Sequence, residues 1–429
     1  MNQRYYSLDV FRGATVAFMI LVNNQPGPTY TPLDHAPWHG LTPTDLVFPF
    51  FLFAVGNALA FVMPRMEEKG NAYFLQKVFR RTLLIFVINV LLNWFPFVHW
   101  SHDHLVGSGW TWINDNGDLT GVRVMGVLAR IALAYCGAAL IIYYTNRRFV
   151  ARRADISSNA ASGYFLSQPE SGVRAKLRGA FFISGCLLIG YWALCLFLGD
   201  PADPYSLNGY FGTAIDKTVF GPQHMYHGEG VAFDPEGLAS TIPAIVSVIL
   251  GYFAGTYIRL KGKSYDMLAQ LLVAAFILLL AGYCWGALFP INKKIWTSSY
   301  VLVAAGWALG TLSLLIYFIE VRRAGTAGPA EGQSLANVTG SWSKFFDVFG
   351  KNPLFIFILS GALPRLVRLI HFSDGGKTSN PMAWFYNHCC KPLSLGHEEN
   401  ASVVYALTLL ALYWLIGQQL DKRKIYIKV

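Results

Sequence analysis

The feature that most restricts what this chain can fold into is a succession of apolar stretches, each close to the ~20 residues a helix needs to cross a bilayer. They fall at approximately 9–24, 45–64, 79–98, 122–144, 179–199, 239–259, 267–289, 298–319, 345–370 and 401–419. The pattern predicts an all-α, polytopic transmembrane bundle of about ten helices. The first run is short and carries Asp9 and Arg12; the ninth is interrupted by Pro364, Arg365 and Arg368. Composition agrees, because only 14% of residues are charged, against about 25% in a soluble domain. The 429 residues therefore read as a single transmembrane domain, 1–429. Polar stretches near 145–178 and 321–344 are expected to be flexible cytoplasmic loops.

The formal charge of +10 would suit a nucleic-acid partner, but its distribution excludes that reading. Alternate loops hold about 24 Lys and Arg on one side and about five on the other, the asymmetry of a protein whose basic loops stay in the cytoplasm. With an even helix count, both termini are expected to be cytoplasmic. Met1 to Leu8 is polar and no small-residue cleavage site follows the first apolar run, so no signal peptide is expected. Cys136, Cys186, Cys195 and Cys284 lie in apolar runs, where Cys acts as a small hydrophobe; Cys389 and Cys390 share a loop. No metal-ligand spacing appears, and no internal repeat suggests inverted symmetry.

The outer loops hold the residues with chemical potential. After the first helix come Asn23-Asn24-Gln25-Pro26-Gly27, then Asp34-His35-Ala36-Pro37-Trp38-His39-Gly40. Pro, Gly and Trp can build a rigid turn that holds His35 over the mouth of the bundle, and His is the side chain best suited to move a proton near neutral pH. Thr42 or Thr44 is placed to cap the second helix, with Asp45 in its first turn. Asn23 reads either as a helix cap or as a polar group on a reacting carbonyl. Arg123 and Arg130 lie seven apart, two turns along one face of the predicted fourth helix. Such a stripe suits a ligand with several phosphates, or else an internal ion pair with Asp9, Asp45 or Glu236. Asn57, Asn89 and Asn93 read as interhelical hydrogen-bonding groups or as cavity lining. Asp234-Pro235-Glu236-Gly237, with His224 and His227 just before it, either starts a helix or grips an outer substrate. Asn292-Lys293-Lys294 favours an anionic ligand or is simply solvated.

These residues carry a resemblance. Ser7-Leu8-Asp9-Val10-Phe11-Arg12-Gly13, Val22-Asn23, His35-Ala36-Pro37-Trp38-His39-Gly40-Leu41-Thr42 and Asp45-Leu46-Val47-Phe48-Pro49 resemble the heparan-α-glucosaminide N-acetyltransferase family, whose bacterial members are NagX-like membrane proteins. Arg123-Val124-Met125-Gly126-Val127-Leu128-Ala129-Arg130, His224-Met225-Tyr226, Asp234-Pro235-Glu236-Gly237-Leu238 and Pro290-Ile291-Asn292-Lys293 continue it in order.

The resemblance implies an acetyl-CoA-dependent N-acetyltransferase that moves acetyl from cytoplasmic acetyl-CoA to the amine of a glucosamine-type sugar on the outer, periplasmic side of a bacterial inner membrane. It makes His35 the catalytic residue, as general base or acetyl acceptor, with Asn23 on the carbonyl and Asp45 or Asp34 orienting the ring. Arg123 and Arg130 become CoA phosphate contacts; Trp38, Asp234, Glu236 and His224 become acceptor contacts. The expected partners are acetyl-CoA, an amino sugar, membrane lipid and a second copy in a homodimer, with no metal and no nucleic acid. The alternative is a secondary transporter of amino sugars, as NagX-like names suggest.

Overall fold

The computed structural model describes residues 5–102, 104–159, 169–322 and 341–427. The described residues form thirteen α-helices. In order these are α1 (Tyr6–Asn23), α2 (Val47–Glu68), α3 (Asn71–Trp94), α4 (Val127–Asn159), α5 (Pro169–Leu198), α6 (Gly212–Phe220), α7 (Leu238–Lys261), α8 (Tyr265–Gly286), α9 (Ser298–Ile316), α10 (Ser341–Lys351), α11 (Pro353–Val367), α12 (Pro381–Phe385) and α13 (Glu398–Lys422). Seven helices are long and apolar enough to cross a membrane, or eight if α10 and α11, which meet at 81°, count as one broken span.

Each of the ten apolar runs is helical over most of its length, but α1 and α3 fall outside the group of candidate spans. The first is 18 residues long and carries Asp9 and Arg12; the second carries Lys77, Arg80 and Arg81 in its first half. The proposed linker 145–178 is helical over most of its described length, because α4 runs to Asn159 and α5 resumes at Pro169; residues 160–168, and 323–340 of the second linker, lie outside the described residues.

The bundle is built on close helix pairs. Helices α2 and α7 touch backbone to backbone: a Cβ on Gly56 would lie 1.8 Å from the Val248 carbonyl oxygen, and one on Gly251 would lie 2.0 Å from that of Phe53. Small residues permit this approach in lipid, where dispersion contact replaces the hydrophobic effect between helices. Leu52 and Leu59 of α2, Tyr135 and Ile142 of α4 and Val248 and Ile249 of α7 fill the resulting core. On the outside, Phe181, Phe182 and Phe197 of α5 and Val273, Phe276 and Ile277 of α8 are exposed. An apolar surface of this extent is what a bilayer solvates.

The loops that follow α3 and α11 carry short hairpins. Two antiparallel hairpins, β1 (Val98–Ser101) with β2 (His104–Gly107) and β3 (Thr111–Ile113) with β4 (Leu119–Gly121), follow α3. A third, β5 (Phe372–Asp374) with β6 (Lys377–Ser379), follows α11. The strand β4 leads into a non-helical segment, 122–126, that the sequence pattern had assigned to the fourth helix. That segment is kept out of the helix by side chains of α3: Asn89 Nδ2 donates to the Val124 carbonyl (2.9 Å) and Asn93 Nδ2 to that of Arg123 (3.0 Å). Arg123 and Arg130 therefore do not share a helical face.

Candidate functional site

Asp45 organises the loop between α1 and α2. It occupies the third position of the turn that begins α2, and its Oδ2 accepts from the Thr42 backbone N–H at 3.0 Å while the Thr42 side chain caps the turn in return. The same Oδ2 accepts from the Ala36 N–H at 3.1 Å, which folds 34–42 back onto the helix start. Its Oδ1 lies 2.7 Å from Nδ1 of His35. The carboxylate is buried and the imidazole partly exposed. A buried carboxylate on Nδ1 favours the tautomer that carries its lone pair on Nε2.

The loop between α8 and α9 closes over this pair. The Asn292 side chain accepts from Ile295 N–H at 3.1 Å, and the Asn292 N–H donates to Thr297 Oγ1 at 3.1 Å, forming a tight turn. This turn is tied to the His35 loop by Gly40 N–H on the Ile291 carbonyl (2.8 Å) and by Lys294 Nζ on the Pro37 carbonyl (2.7 Å). It places Lys293 Nζ 3.0 Å from Nδ1 of His35 and 3.5 Å from Oδ1 of Asp45. Burial pushes the Lys293 ammonium below its ordinary value, against the pull of Asp45.

Two hollows meet at His35. The larger, about 610 Å³, runs through the bundle. Val47, Phe51, Ala54, Val55, Ala58 and Val62 line it from one face of α2, a stretch of about 22 Å at 1.5 Å per residue. His35, Asn23, Lys293 and Glu236 stand at its outer end, and Arg12, Arg81 and Lys351 line it on the opposite side of the apolar stretch. The smaller pocket, about 240 Å³, adjoins the cavity at the His35 loop, the outer of the two with respect to the helix bundle, and is bounded by His35, Trp38, Asp45, Arg123, Tyr226, Glu229, Glu236, Lys293 and Lys294 among others. His35, Val127, Glu236 and Lys293 line both.

Several sequence-predicted residues come together here. Asn23 is exposed and lines the cavity, whereas its neighbour Asn24 is occupied by the Ile20 carbonyl (2.8 Å). Trp38 walls the outer pocket, its indole N–H held by the Tyr205 carbonyl at 2.8 Å. Glu236 lines both hollows.

Others are placed differently. Arg123 clamps Asp234 through Nε (3.0 Å) and Nη2 (2.6 Å) and also bonds Glu236. The pairing raises the Arg123 pKa further, so this guanidinium is a fixed counter-ion for two carboxylates. Of the two readings open for it, the ion pair is the one observed. Arg130 is fully buried, bonded to Ser240 and stacked 4.9 Å from the Trp296 ring, and it lines neither hollow. His224 is buried with Nδ1 donating to the Val122 carbonyl at 2.7 Å, so it shapes the β4 exit and does not reach the pocket. Asp234 is buried beneath Arg123 and supports Glu236 through its N–H (3.0 Å).

Lys293, Glu229 and Tyr226 at the outer pocket, and Arg12, Arg81 and Lys351 in the cavity, were not singled out as site residues. The Asn-Lys-Lys run was the one available signal. Among the described residues, no three His, Cys, Asp or Glu side chains are grouped closely enough to hold a metal ion.

The fold and site define an integral membrane protein of multiple helical spans, with a His–Asp–Lys cluster between an internal cavity and an outer pocket. The chain is a distant homologue of heparan-alpha-glucosaminide N-acetyltransferase. It is 28% identical to the human enzyme over 353 residues, covering 76% of this chain and 50% of the relative. It is 27% identical to the mouse enzyme over 363 residues, covering 76% and 51%. The chain thus spans about half the length of the curated relatives it matches. No protein-family model matches it.

Proposed function

We propose that the protein is a transmembrane acyltransferase that moves an acetyl group from cytoplasmic acetyl-CoA to the amine of a glucosamine-type sugar on the outer side of the membrane. The observation that carries the reading is that His35 lines both the cavity and the outer pocket. A donor arm threaded through one and an acceptor seated in the other would meet at this side chain. The apolar wall of α2 suits a pantetheine arm, and Arg81 suits the nucleotide phosphates, whereas Arg12 is paired with Asp9 and Lys351 with Asp347 and Asp421 (2.8 Å each). Arg81, stacked 4.9 Å from the Tyr135 ring, has no carboxylate partner among the described residues. Arg123 and Arg130 then support the outer pocket and do not contact phosphate.

In the direct route the neutral amine nitrogen attacks the thioester carbon while His35 Nε2 takes its proton. The C–N bond forms, the C–S bond breaks, and the imidazolium returns the proton to the departing CoA sulfur. Asp45 stabilises the imidazolium and Asn23 orients the carbonyl or bonds the developing oxyanion. In the two-step route the Nε2 lone pair attacks the thioester carbon and the C–S bond breaks to release the CoA thiolate; the amine nitrogen then attacks the acetyl carbon, the C–Nε2 bond breaks, and the amine proton passes by way of the freed imidazole to the thiolate. Glu236, Trp38 and Tyr226 form the acceptor walls. The Lys and Arg asymmetry of the loops supports a ten-crossing topology with both termini cytoplasmic, which puts His35 on the periplasmic side of an inner membrane.

The test is transfer of labelled acetyl from acetyl-CoA on one side of a proteoliposome to glucosamine on the other. The expected result is N-acetylglucosamine in the acceptor compartment, with His35→Ala lowering the rate by about 10²–10⁴-fold. Full activity of His35→Ala would remove the assignment. Uptake of labelled N-acetylglucosamine with no CoA donor present would favour transport.

A further inference from the structure

The end of the large cavity away from His35 is crossed by a strap of backbone. Where α13 ends, Lys424 takes a φ of 57°, its N–H donates to the Asp421 carbonyl and that of Ile425 to the Leu420 carbonyl (2.9 Å each), so the chain turns back on the helix. The segment 425–427 then passes the break between α10 and α11, where Asn352 bonds it on both sides. Asn352 Nδ2 donates to the Ile425 carbonyl at 3.0 Å, and the Ile427 N–H donates to Asn352 Oδ1 at 2.8 Å. Ile427 lines the cavity together with Arg12, Arg81, Lys351 and Pro353.

This latch diverts Asn352 from another task. The residue stands at the N-cap of α11, just ahead of Pro353, where an Asn side chain ordinarily accepts from the N–H groups of the first turn; it makes no such bond here. Asn352 is fully buried, with both ends of its amide taken up by the strap. The strap itself is lightly held. Ile425, Tyr426 and Ile427 are 41–43% exposed, and Tyr426 adds one hydroxyl bond to Asp421 Oδ1 at 2.9 Å. Its base is firmer, because the other Asp421 oxygen meets Lys351, which Asp347 also holds (2.8 Å each). Release of the strap therefore costs two hydrogen bonds to one side chain, and the freed Oδ1 can return to the first turn of α11, which offsets part of that loss. A segment with few buried apolar contacts and two such arrangements opens without unfolding the helices beside it.

We infer that the segment 424–427 is the gate of the donor cavity, latched by the Asn352 amide, and that it leaves Asn352 when a donor enters or its spent form departs. The inference rests on the acyltransferase reading, which makes acetyl-CoA the molecule that passes. With the pantetheine arm along the apolar stretch, the nucleotide stays at the mouth that the strap crosses, so strap and nucleotide compete for one place. Donor exchange then has a conformational step of its own, separate from the chemistry at His35. The gate also accounts for a helix-start Asn that bonds backbone 73 and 75 residues further on in place of its own first turn.

The experiment uses the full chain in detergent and two readouts. In the first, Asn352→Cys and Ile427→Cys are combined and joined by a short bis-methanethiosulfonate, and association of labelled CoA is followed before and after a thiol reductant removes the link. The linked protein is expected to bind at least about tenfold more slowly, with the rate recovered on reduction. Ile427→Cys alone, treated in the same way, is expected to change far less, which separates the latch from the native cysteines. In the second, a charged maleimide alkylates Ala58→Cys on the cavity wall, read by peptide mass spectrometry. Adding Asn352→Ala is expected to speed that reaction by about threefold or more, while the buried Cys195 stays unmodified and so reports an intact bundle. Equal CoA association in the linked and reduced states would overturn the inference, as would an alkylation rate that Asn352→Ala leaves unchanged. If neither the wild type nor the reduced protein binds CoA, the acyltransferase reading fails, and the alkylation rate still decides the gate.

Discussion

Oδ1 of Asp45 lies 2.7 Å from Nδ1 of His35, while Oδ2 of the same carboxylate accepts the backbone N–H groups of Thr42 and Ala36 at 3.0 and 3.1 Å. One side chain thus fixes both the start of α2 and the ring that the loop presents. Its backbone carbonyl is in turn held by Tyr300 of α9 (2.6 Å), so the orientation of His35 is coupled to a helix far along the chain.

Asp45→Asn separates these duties. An amide still accepts from the backbone, so the capping loss is held to about 1 kcal/mol. It no longer stabilises an imidazolium and favours the wrong tautomer, so kcat is expected to fall by about 10²-fold or more. Thermal unfolding in detergent beside transfer kinetics checks this; a wild-type kcat would mean that Asp45 is only a cap.

The cavity can be blocked from α2. Ala58 faces the hollow, so Ala58→Trp fills space without displacing a core residue. The KM for acetyl-CoA is expected to rise at least about tenfold, with little change in the unfolding temperature. An unchanged donor KM would put the donor elsewhere.

Arg123→Met leaves Asp234 and Glu236 without their shared cation. Removing one partner of a buried pair costs about 3–5 kcal/mol, so a clear fall in thermal stability is expected, together with a weakened acceptor KM. Dissociation of CoA, measured by calorimetry, should not change. A selective loss of CoA affinity would restore the phosphate role that the Arg-rich motif suggests.

Asp216 of α6 offers a pH test. Its Oδ1 accepts the Leu238 N–H at 2.9 Å at the start of α7, and burial, with the nearby Asp234 charge adding to it, raises its carboxyl to about 6. The folded protein therefore binds this proton more tightly than the unfolded chain. Stability from Asp216 is full below the ordinary carboxylate range and is lost as pH rises through about 6, a change of about 3 kcal/mol. Asp216→Asn is expected to flatten that part of the pH–stability curve and to gain stability above pH 6. A wild-type slope in the variant would refute it.

The loop between α1 and α2 was largely legible because its determinants are close in sequence. His35, Thr42 and Asp45 lie within ten residues, and a capping turn with acid in the first turn is a local signal. Arg123 misled for the same reason. Its Arg-x-x-Gly-Val-Leu-x-Arg context reads as continuous helix, but Asn89 and Asn93 bond the carbonyls of the non-helical segment 122–126 and Asp234 lies 111 residues away. His224 looked like a pocket residue because it precedes the acidic motif, yet its ring is spent on the Val122 carbonyl, 102 residues distant. Lys293 was visible only as part of a basic pair, since nothing local says which lysine faces His35.

The sequence by itself determined the helical, membrane-crossing character of this chain and the loop segments in which its polar chemistry collects. Transfer of an apolar run into lipid is a sum over neighbouring residues, so ~20 consecutive positions suffice to specify it. The tertiary structure decided which charges neutralise one another, which reach a hollow, and that one histidine stands where two hollows meet. Those outcomes depend on helices brought together from distant parts of the chain, where a few ångströms separate a buried counter-ion from a side chain free to act.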